Sequence, residues 1–494
     1  MIAPAHPRRA LWLAALLACL AVALGLTMTD GAGVAGAASG PSPAAVAPGA
    51  EPATFSLGFV DDQLFVQSSA RVQNYWLGKA QGLGSSWVRI GVVWATVAPW
   101  DRPRHWNPTN AADRNYRWGQ LDRAVRAAVA HGQTPLLDVH YAPRWAEGRH
   151  RPKWAYGGSW EPSATAYGQF ARALAQRYSG SFPDPLHRGR MLPQVTNFQA
   201  WNEPNLPKYI TPEWVEDSHH HILPAAPAIY RNLLNAFYLG IKAVQPGATV
   251  LMAGLAPYGD PPGVGRMRPV YFLRQVECLS DSLRPLSCPS PVYFDGLDDH
   301  PYSAGPQYPA HYADDVSVPD QWKLTRVADA GVADGHVLPA APKPVWITEL
   351  GFSTTPPYDS DASQLRDLPL ACFYLWKQGV THFFWFQIED PLGHDNAFAG
   401  EGLFTRSHRA KPATAAYRFP FVAVRENGDH GEIWGLAPVP GVVTVQIKGR
   451  GHWRALLTTT STPGGIFDVS HTLKRGSVLR AVAGGRVSPA WAVG

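Results

Sequence analysis

At 494 residues the chain exceeds the usual size of one domain, so a main domain with a smaller companion is expected. Its formal net charge is only +5 and the charges are spread evenly, which excludes the concentrated basic surface that nucleic-acid binding needs. A hydrophobic share of 46% permits a large core.

Taken in chain order, the first segment reads as an export leader over 1–38. Arg8 and Arg9 precede an apolar run from Ala10 to Leu26, and Ala35-Gly36-Ala37 offers a small-residue cleavage site. The run is about as long as the shortest membrane span, so a leader left uncleaved would act as an anchor. Arg8-Arg9 also fits a twin-arginine signal loosely. Residues 39–53, rich in Pro, Ala and Gly, read as a flexible linker. Gly31, Gly33 and Gly36 spell a dinucleotide fingerprint, but no strand precedes them and no helix follows, so it is set aside.

From Phe55 short β-rich runs alternate with helical stretches. Strands are expected at Phe55–Val60, Trp87–Val93, Pro135–His140, Thr196–Trp201, Val250–Leu255, Phe294–Asp299, Val345–Thr348 and Thr381–Gln387. Helices are expected at Ala70–Gln81, Trp118–His131, Ala164–Tyr178, Ala228–Val244, Val270–Cys278, Gln321–Ala330, Gln364–Gln378 and Pro412–Phe419. This alternation predicts an α/β fold, a closed (β/α)8 TIM barrel over residues 54–421. After Phe421 helical periodicity disappears. Short β runs at Glu432–Leu436, Val442–Ile447, Trp453–Thr459 and Val478–Val482 predict a small C-terminal β-sandwich over 422–494. Cys278 and Cys288 flank a Pro- and Ser-containing loop and suit a disulfide in an exported protein, whereas Cys372 reads as a buried thiol.

A barrel places its chemistry at the C-terminal ends of its strands. Two tetrads fall there: Trp201-Asn202-Glu203-Pro204 after the fourth strand and Ile347-Thr348-Glu349-Leu350 at the seventh. Two carboxylates delivered by two strand ends suit cleavage of a glycosidic bond, where one protonates the leaving oxygen and the other meets the positive charge developing at the sugar carbon. Other polar and aromatic residues sit in phase: Arg89 in the second strand, His140 ending the third, His300 and Tyr302 ending the sixth, and Trp385 in the eighth. The wealth of aromatics, with 19 Trp, 18 Tyr and 19 Phe, serves sugar stacking or a large β-rich core.

On these residues the chain resembles the retaining (β/α)8 glycoside hydrolases of the clan containing families 5 and 39. Members carry an acid/base Glu after strand 4, typically as Asn-Glu-Pro, and a nucleophile Glu after strand 7. Asn202-Glu203-Pro204 and Glu349 match those places, and Arg89, His140, His300-Pro301-Tyr302 and Trp385 match the family-5 pattern on strands 2, 3, 6 and 8. No signature assigns one family or one polysaccharide. The resemblance implies Glu203 as proton donor, its pKa raised by burial or by the neighbouring carboxylate. It implies Glu349 as ionised nucleophile, held charged by Arg89 and Tyr302. Asn202 would serve the sugar 2-OH, His140 and His300 would bind hydroxyls or orient the carboxylates, and Trp385 would floor the −1 subsite. The carboxyls would lie about 5–5.5 Å apart and the anomeric configuration would be retained.

Blander readings stand beside these. Asn-Glu-Pro can be a turn, Arg89 a structural partner of Asp138, His140 and His300 satisfied core histidines, Tyr302 a loop residue and Trp385 core packing. Glu389 and Asp390 compete with Glu349 for the second carboxylate. His219-His220-His221 reads as a solvated loop, since adjacent side chains diverge too far for one metal, and Asp298-Asp299-His300 lacks a second ligand cluster. Trp434 and Trp453 either stack on sugar or buttress the barrel. The expected protein is an exported, monomeric glycosidase acting on an oligo- or polysaccharide without metal or cofactor. The alternatives are a non-catalytic glycan-binding barrel and a surface protein of cell-wall remodelling.

Overall fold

The computed structural model describes residues 51–355, 359–391 and 399–494. The leader and the linker up to residue 50 lie outside the described residues.

Eight parallel strands form the central sheet: β1 (Ser56–Val60), β2 (Trp87–Val93), β3 (Thr134–His140), β4 (Asn197–Ala200), β5 (Thr249–Met252), β6 (Leu297–Asp299), β7 (Val345–Leu350) and β8 (Val380–Phe386). They pair in the order β5-β4-β3-β2-β1-β8-β7-β6. Parallel bridges Leu251 to Gly296 and Leu255 to Asp299 then join β5 to β6 and close the barrel. Each strand is followed by a helix: α1 (Ala70–Gly82), α2 (Gly119–Ala130), α3 (Ala164–Arg177), α4 (Ala226–Lys242), α5 (Pro269–Val276), α6 (Trp322–Ala333), α7 (Asp361–Lys377) and α8 (Ala413–Arg418). Ser69, Ser163 and Ser360 cap α1, α3 and α7 by accepting a backbone N–H of the first turn. Helices α3 and α4 approach closely because both carry glycine at the crossing. A Cβ on Gly240 would stand 2.4 Å from the Gly168 carbonyl oxygen.

Side-chain alternation divides each strand into a face toward the helices and a face toward the barrel axis. The inward apolar residues form their own cluster: Val60, Leu136, Leu251, Trp346, Phe384 and Phe386, with Trp87 packed against it at the N-terminal end and Tyr302 against it near the mouth. Beside this filling lies a buried polar tier of Arg89, Asp138, Gln199, Asp298 and Thr348. On β2, β3, β4, β6 and β7 hydrogen-bonded side chains thus replace the apolar filling toward the mouth, while on β1 and β8 the filling runs to the strand ends.

After α8 the chain turns antiparallel. Strands β9 (Phe421–Asn427), β10 (His430–Leu436) and β13 (Ile466–Thr472) form one sheet. Strands β11 (Val442–Lys448), β12 (Trp453–Thr460), β14 (Val478–Ala483), β15 (Arg486–Val487) and β16 (Trp491–Ala492) form the other. Ile433, Phe467, Val443, Val445 and Leu479 pack between them as a β-sandwich. One residue along β10, Trp434 points the other way and meets Phe55, Phe373 and Trp376 of the barrel. Trp434 therefore buttresses the barrel, while Trp453 is half-buried under the Arg480 guanidinium, 4.3 Å from its ring centroid. Cys278 and Cys288 are disulfide-bonded and Cys372 is a buried free thiol.

Candidate active site

Strand ends 2, 3, 4, 6 and 7 deliver their polar side chains to one mouth. Glu203 follows β4 through a backbone that takes positive φ at Trp201 (80°) and at Glu203 itself (37°). Such conformations cost roughly 1–3 kcal/mol each in non-glycine residues and persist only where surroundings enforce them. Here the Glu203 N–H donates to the Gly254 carbonyl at 3.0 Å. The Trp201 indole donates to the Tyr209 carbonyl at 3.0 Å, and Asn205 bonds Ala256 through both its amide oxygen and nitrogen. The turn after β4 is thereby pinned to the end of β5, and the Glu203 carboxyl is turned into the mouth.

Glu349, near the end of β7, faces it. The Tyr302 hydroxyl donates to one Glu349 oxygen at 2.9 Å and Arg89 Nη1 to the other at 3.3 Å. His300 stands between the glutamates, its Nδ1 3.0 Å from Glu203 Oε1 and 3.9 Å from Glu349 Oε2. One ligand atom each from Glu203, His300 and Glu349 lie within 4.8 Å of one another. Two carboxylates and an imidazole this close could in principle hold a divalent cation. The Arg89 guanidinium, 3.3 Å from Glu349, already brings a positive charge to the pair.

Arg89 organises the tier beneath. Nε donates to Gln199 Oε1 at 2.8 Å, and Nη2 serves Asn202 Oδ1 at 2.6 Å and Asp138 Oδ2 at 3.0 Å. The second partner of Asp138 is His140, whose Nδ1 lies 2.7 Å from Oδ2. Arg89, His140, Asn202 and His300 thus have partners inside the site, and the pairing of Arg89 with Asp138 holds alongside its bond to Glu349. Asp299 turns away and accepts from Gln321 Nε2 at 2.9 Å.

Burial shapes the protonation of this cluster. It drives the Glu349 carboxyl above the ordinary glutamate range, and the Glu203 charge adds to that, while His300, Arg89 and the Tyr302 bond oppose it. For His300 burial works against the charged ring, yet the Glu349 charge and the Glu203 bond raise it to about 9. Burial also works against the Arg89 charge, but Asp138 and Glu349 outweigh it and the guanidinium titrates above its usual range.

Trp385 is not at the mouth. It is fully buried, its indole donates to the Glu401 carbonyl at 2.9 Å, and its ring packs on Phe352 and Phe383. Alternation along β8 gives the reason: Phe384 and Phe386 point inward, so Trp385 between them points outward. The aromatic wall facing the pair is Phe386, whose ring meets Tyr302 edge-on at 6.3 Å. Glu389 is paired with Arg406 and His408, and Asp390 with Lys411, so neither serves the carboxylate pair. His219, His220 and His221 lie on an exposed hairpin, with His220 paired to Glu216 and His221 to Asp217.

Sequence reading missed four contributors. Gln199 and Thr348 are polar residues on the inward face of β4 and β7, a pattern visible once the phase of each strand is known. Phe386 lies one position beyond the residue chosen. Glu401, fully buried with one oxygen lacking a hydrogen-bond partner, carries a carboxyl that burial holds well above its usual range, with the Glu349 charge adding to the effect. It belongs to the long β8–α8 connection and had no local signal.

No protein-family model matches the chain, and no curated protein matches it in sequence. Solved structures do match in fold. The chain is similar to a monomeric β-xylosidase from Caulobacter crescentus CB15, at 16% identity and a TM-score of 0.50, over 88% of this chain and 96% of that one. It is also similar to a family 39 glycoside hydrolase from Bacteroides cellulosilyticus WH2, at 16% identity and a TM-score of 0.49, over 85% and 81% of the two chains. The shared fold is a (β/α)8 barrel with a C-terminal β-sandwich.

Proposed function

We propose that the chain is a retaining glycoside hydrolase, exported and acting on an extracellular oligo- or polysaccharide. The observation that carries this reading is the meeting of Glu203 and Glu349 across His300, with ligand atoms of all three within 4.8 Å. That spacing suits the roughly 5–5.5 Å carboxyl separation of double displacement rather than the roughly 6.5–9.5 Å of inversion. The fold it shares with a β-xylosidase is in keeping with such chemistry.

In the first step Glu203 gives its proton to the leaving oxygen while a Glu349 oxygen bonds the anomeric carbon. Arg89 and Tyr302, one on each Glu349 oxygen, stabilise the carboxylate that attacks. In the second step Glu203, now ionised, takes a proton from water, and that water releases the sugar from Glu349. Asn202 is held by Arg89 through its carbonyl, which leaves its amide N–H groups for a sugar hydroxyl. The alternative of a barrel that binds glycans without cleaving them uses the same mouth but needs no second carboxylate.

The test is a panel of aryl glycosides with product stereochemistry read by NMR. Glu349→Gln is expected to abolish turnover. Glu203→Gln is expected to lose roughly the 10²–10⁴-fold that a general acid supplies, with rescue on glycosides of very acidic phenols. A 2-fluoro-glycoside is expected to label Glu349, detected by mass spectrometry. Near-normal turnover by Glu349→Gln would remove the nucleophile assignment, and binding without turnover by the unmodified protein would favour the lectin-like alternative.

A further inference from the structure

Beneath His300 runs a chain of hydrogen bonds whose directions can be deduced. Arg89 Nε is a donor only, so the Gln199 atom 2.8 Å away is its carbonyl oxygen. The Gln199 amide nitrogen then faces the other way and donates to Asp298 Oδ2. The Thr348 backbone N–H donates to Asp298 Oδ1 at 3.1 Å. The Thr348 hydroxyl stands 2.7 Å from Asp298 Oδ2 and 3.1 Å from His300 Nε2. It owns one proton. While Asp298 is ionised, that proton goes to the carboxylate, and only lone pairs remain for the imidazole. His300 Nε2 must then carry a hydrogen. Nδ1, 3.0 Å from Glu203 Oε1, either accepts from the Glu203 carboxylic acid or, in a charged ring, donates to its carboxylate. One proton lies on that line in either case.

We propose that Asp298 and Thr348 are positioning residues which, through the Thr348 hydroxyl, decide which nitrogen of His300 is protonated and thereby hold the proton that Glu203 delivers. The inference rests on the reading of Glu203 as the proton donor. Reversing the wire balances without any other reactant. If Asp298 holds a proton, its O–H is handed to Thr348 Oγ, the Thr348 proton passes to His300 Nε2, and the Nδ1 proton passes to Glu203. A neutral acid and a carboxylate have exchanged places, and the imidazole has changed tautomer with no change of charge.

The surroundings suit such an exchange. Asp298, His300 and Thr348 are fully buried, so bulk water does not short-circuit the wire. Asp298 faces Arg89 from β2, Gln199 from β4, Thr348 from β7, and the ring of His300, with the Tyr230 hydroxyl of α4 beyond. His300 faces Glu203 from the β4 end, Glu349 from β7 and Arg89, and feels the charge of Asp299, whose carboxylate is turned to Gln321. Gly254, just past β5, leaves space there: a Cβ on it would lie 2.1 Å from His300 Nε2, so glycine makes room for the ring. Burial lifts the Asp298 carboxyl to about 7, close to neutrality, where it can take either role.

Nitrogen-15 NMR of histidine-labelled protein tests the wire without any substrate. His300 is assigned by loss of its signals in His300→Gln. Once the ring has lost its charge, above about pH 9, the unmodified protein is expected to show a protonated Nε2, and Thr348→Val is expected to lose that preference, while Thr348→Ser restores it. Asp298→Asn is expected to shift the pH at which the ring signals change. On turnover, Thr348→Val is expected to lose roughly tenfold more on a methyl glycoside than on the dinitrophenyl glycoside of the same sugar, a fraction of what general acid catalysis supplies. A His300 tautomer identical in the unmodified protein and in Thr348→Val would overturn the proposal. So would equal losses on the two glycosides in a protein that still hydrolyses both. A protein that hydrolyses no glycoside would remove the enzymatic reading instead, and the tautomer measurement would still decide the wire.

Discussion

Arg89 directs each of its three nitrogens to a different purpose: Nε to Gln199, Nη1 to Glu349, and Nη2 to Asn202 and Asp138. A lysine offers a point charge and could not reproduce this fork, so Arg89→Lys is not conservative here. Residue-scale geometry also separates two neighbouring aromatics. Trp385→Ala is expected to destabilise by about 3–5 kcal/mol, as large-to-small changes in a core do. The melting temperature should fall while KM of the surviving protein stays close to normal. Phe386→Ala opens the wall beside Tyr302 and is expected to raise KM several-fold with a smaller change in melting temperature. The opposite pattern would return Trp385 to the subsite. The reason the sequence could not choose between them is physical. In Phe383-Phe384-Trp385-Phe386 every residue is apolar, because a strand inside a barrel is covered on both faces. Without polar alternation the phase is hidden. Glu203 and Glu349 were easier to pick out, since a charge at the end of an apolar run is costly to bury and marks the place where the barrel opens.

At the scale of elements, the barrel strands and helices were legible because their periods differ, 2 in one and 3.6 in the other, and because short polar turns separate them. Strand β2 falls on Trp87–Val93 as its composition predicts, while the sixth strand is shorter than expected, Leu297–Asp299, since Phe294 lies in the turn before it. Strands β9 and β13 went unread: Phe421–Asn427 is half charged or polar, and Ile466–Thr472 alternates with Asp468, Ser470 and His471 exposed or half-exposed. The network of Gln199, Asp298 and Thr348 was illegible for another reason. It joins positions 99 and 50 residues apart, and only closure of the barrel brings them together. Strand β10 makes the seam between domains through Trp434. Trp434→Ala leaves a cavity against Phe55, Phe373 and Trp376 and is expected to cost about 3–5 kcal/mol. Calorimetry should show a lower or split transition; a single unchanged transition would mean that the seam carries no such weight.

At the scale of the whole molecule, buried acids set how stability follows pH. Burial raises Glu432 to about 8, and Asp468 beside it adds to the shift, against the pull of Lys377. Asp61 and Asp299 are raised to about 8, also by burial. Each of these groups is protonated in the fold at a pH where the unfolded chain has already released its proton. The stabilising contribution is therefore complete below the ordinary carboxyl pKa and fades as pH rises toward about 8. The melting temperature is expected to be higher at pH 5 than at pH 8, and Glu432→Gln should flatten part of that slope. A melting temperature that climbs steadily from pH 5 to 8 would contradict this.

The chain enters the barrel at the foot of β1, where the Pro52 carbonyl accepts from the Trp376 indole at 2.9 Å and the Ala53 carbonyl from Thr462 at 3.4 Å. The glutamates stand at the other end of the strands. Glu51, the first described residue, therefore lies at the rear of the molecule. A bead, a surface or a bilayer holding the protein by that end would leave the opening directed outward, and a fusion partner attached there would not stand in front of it.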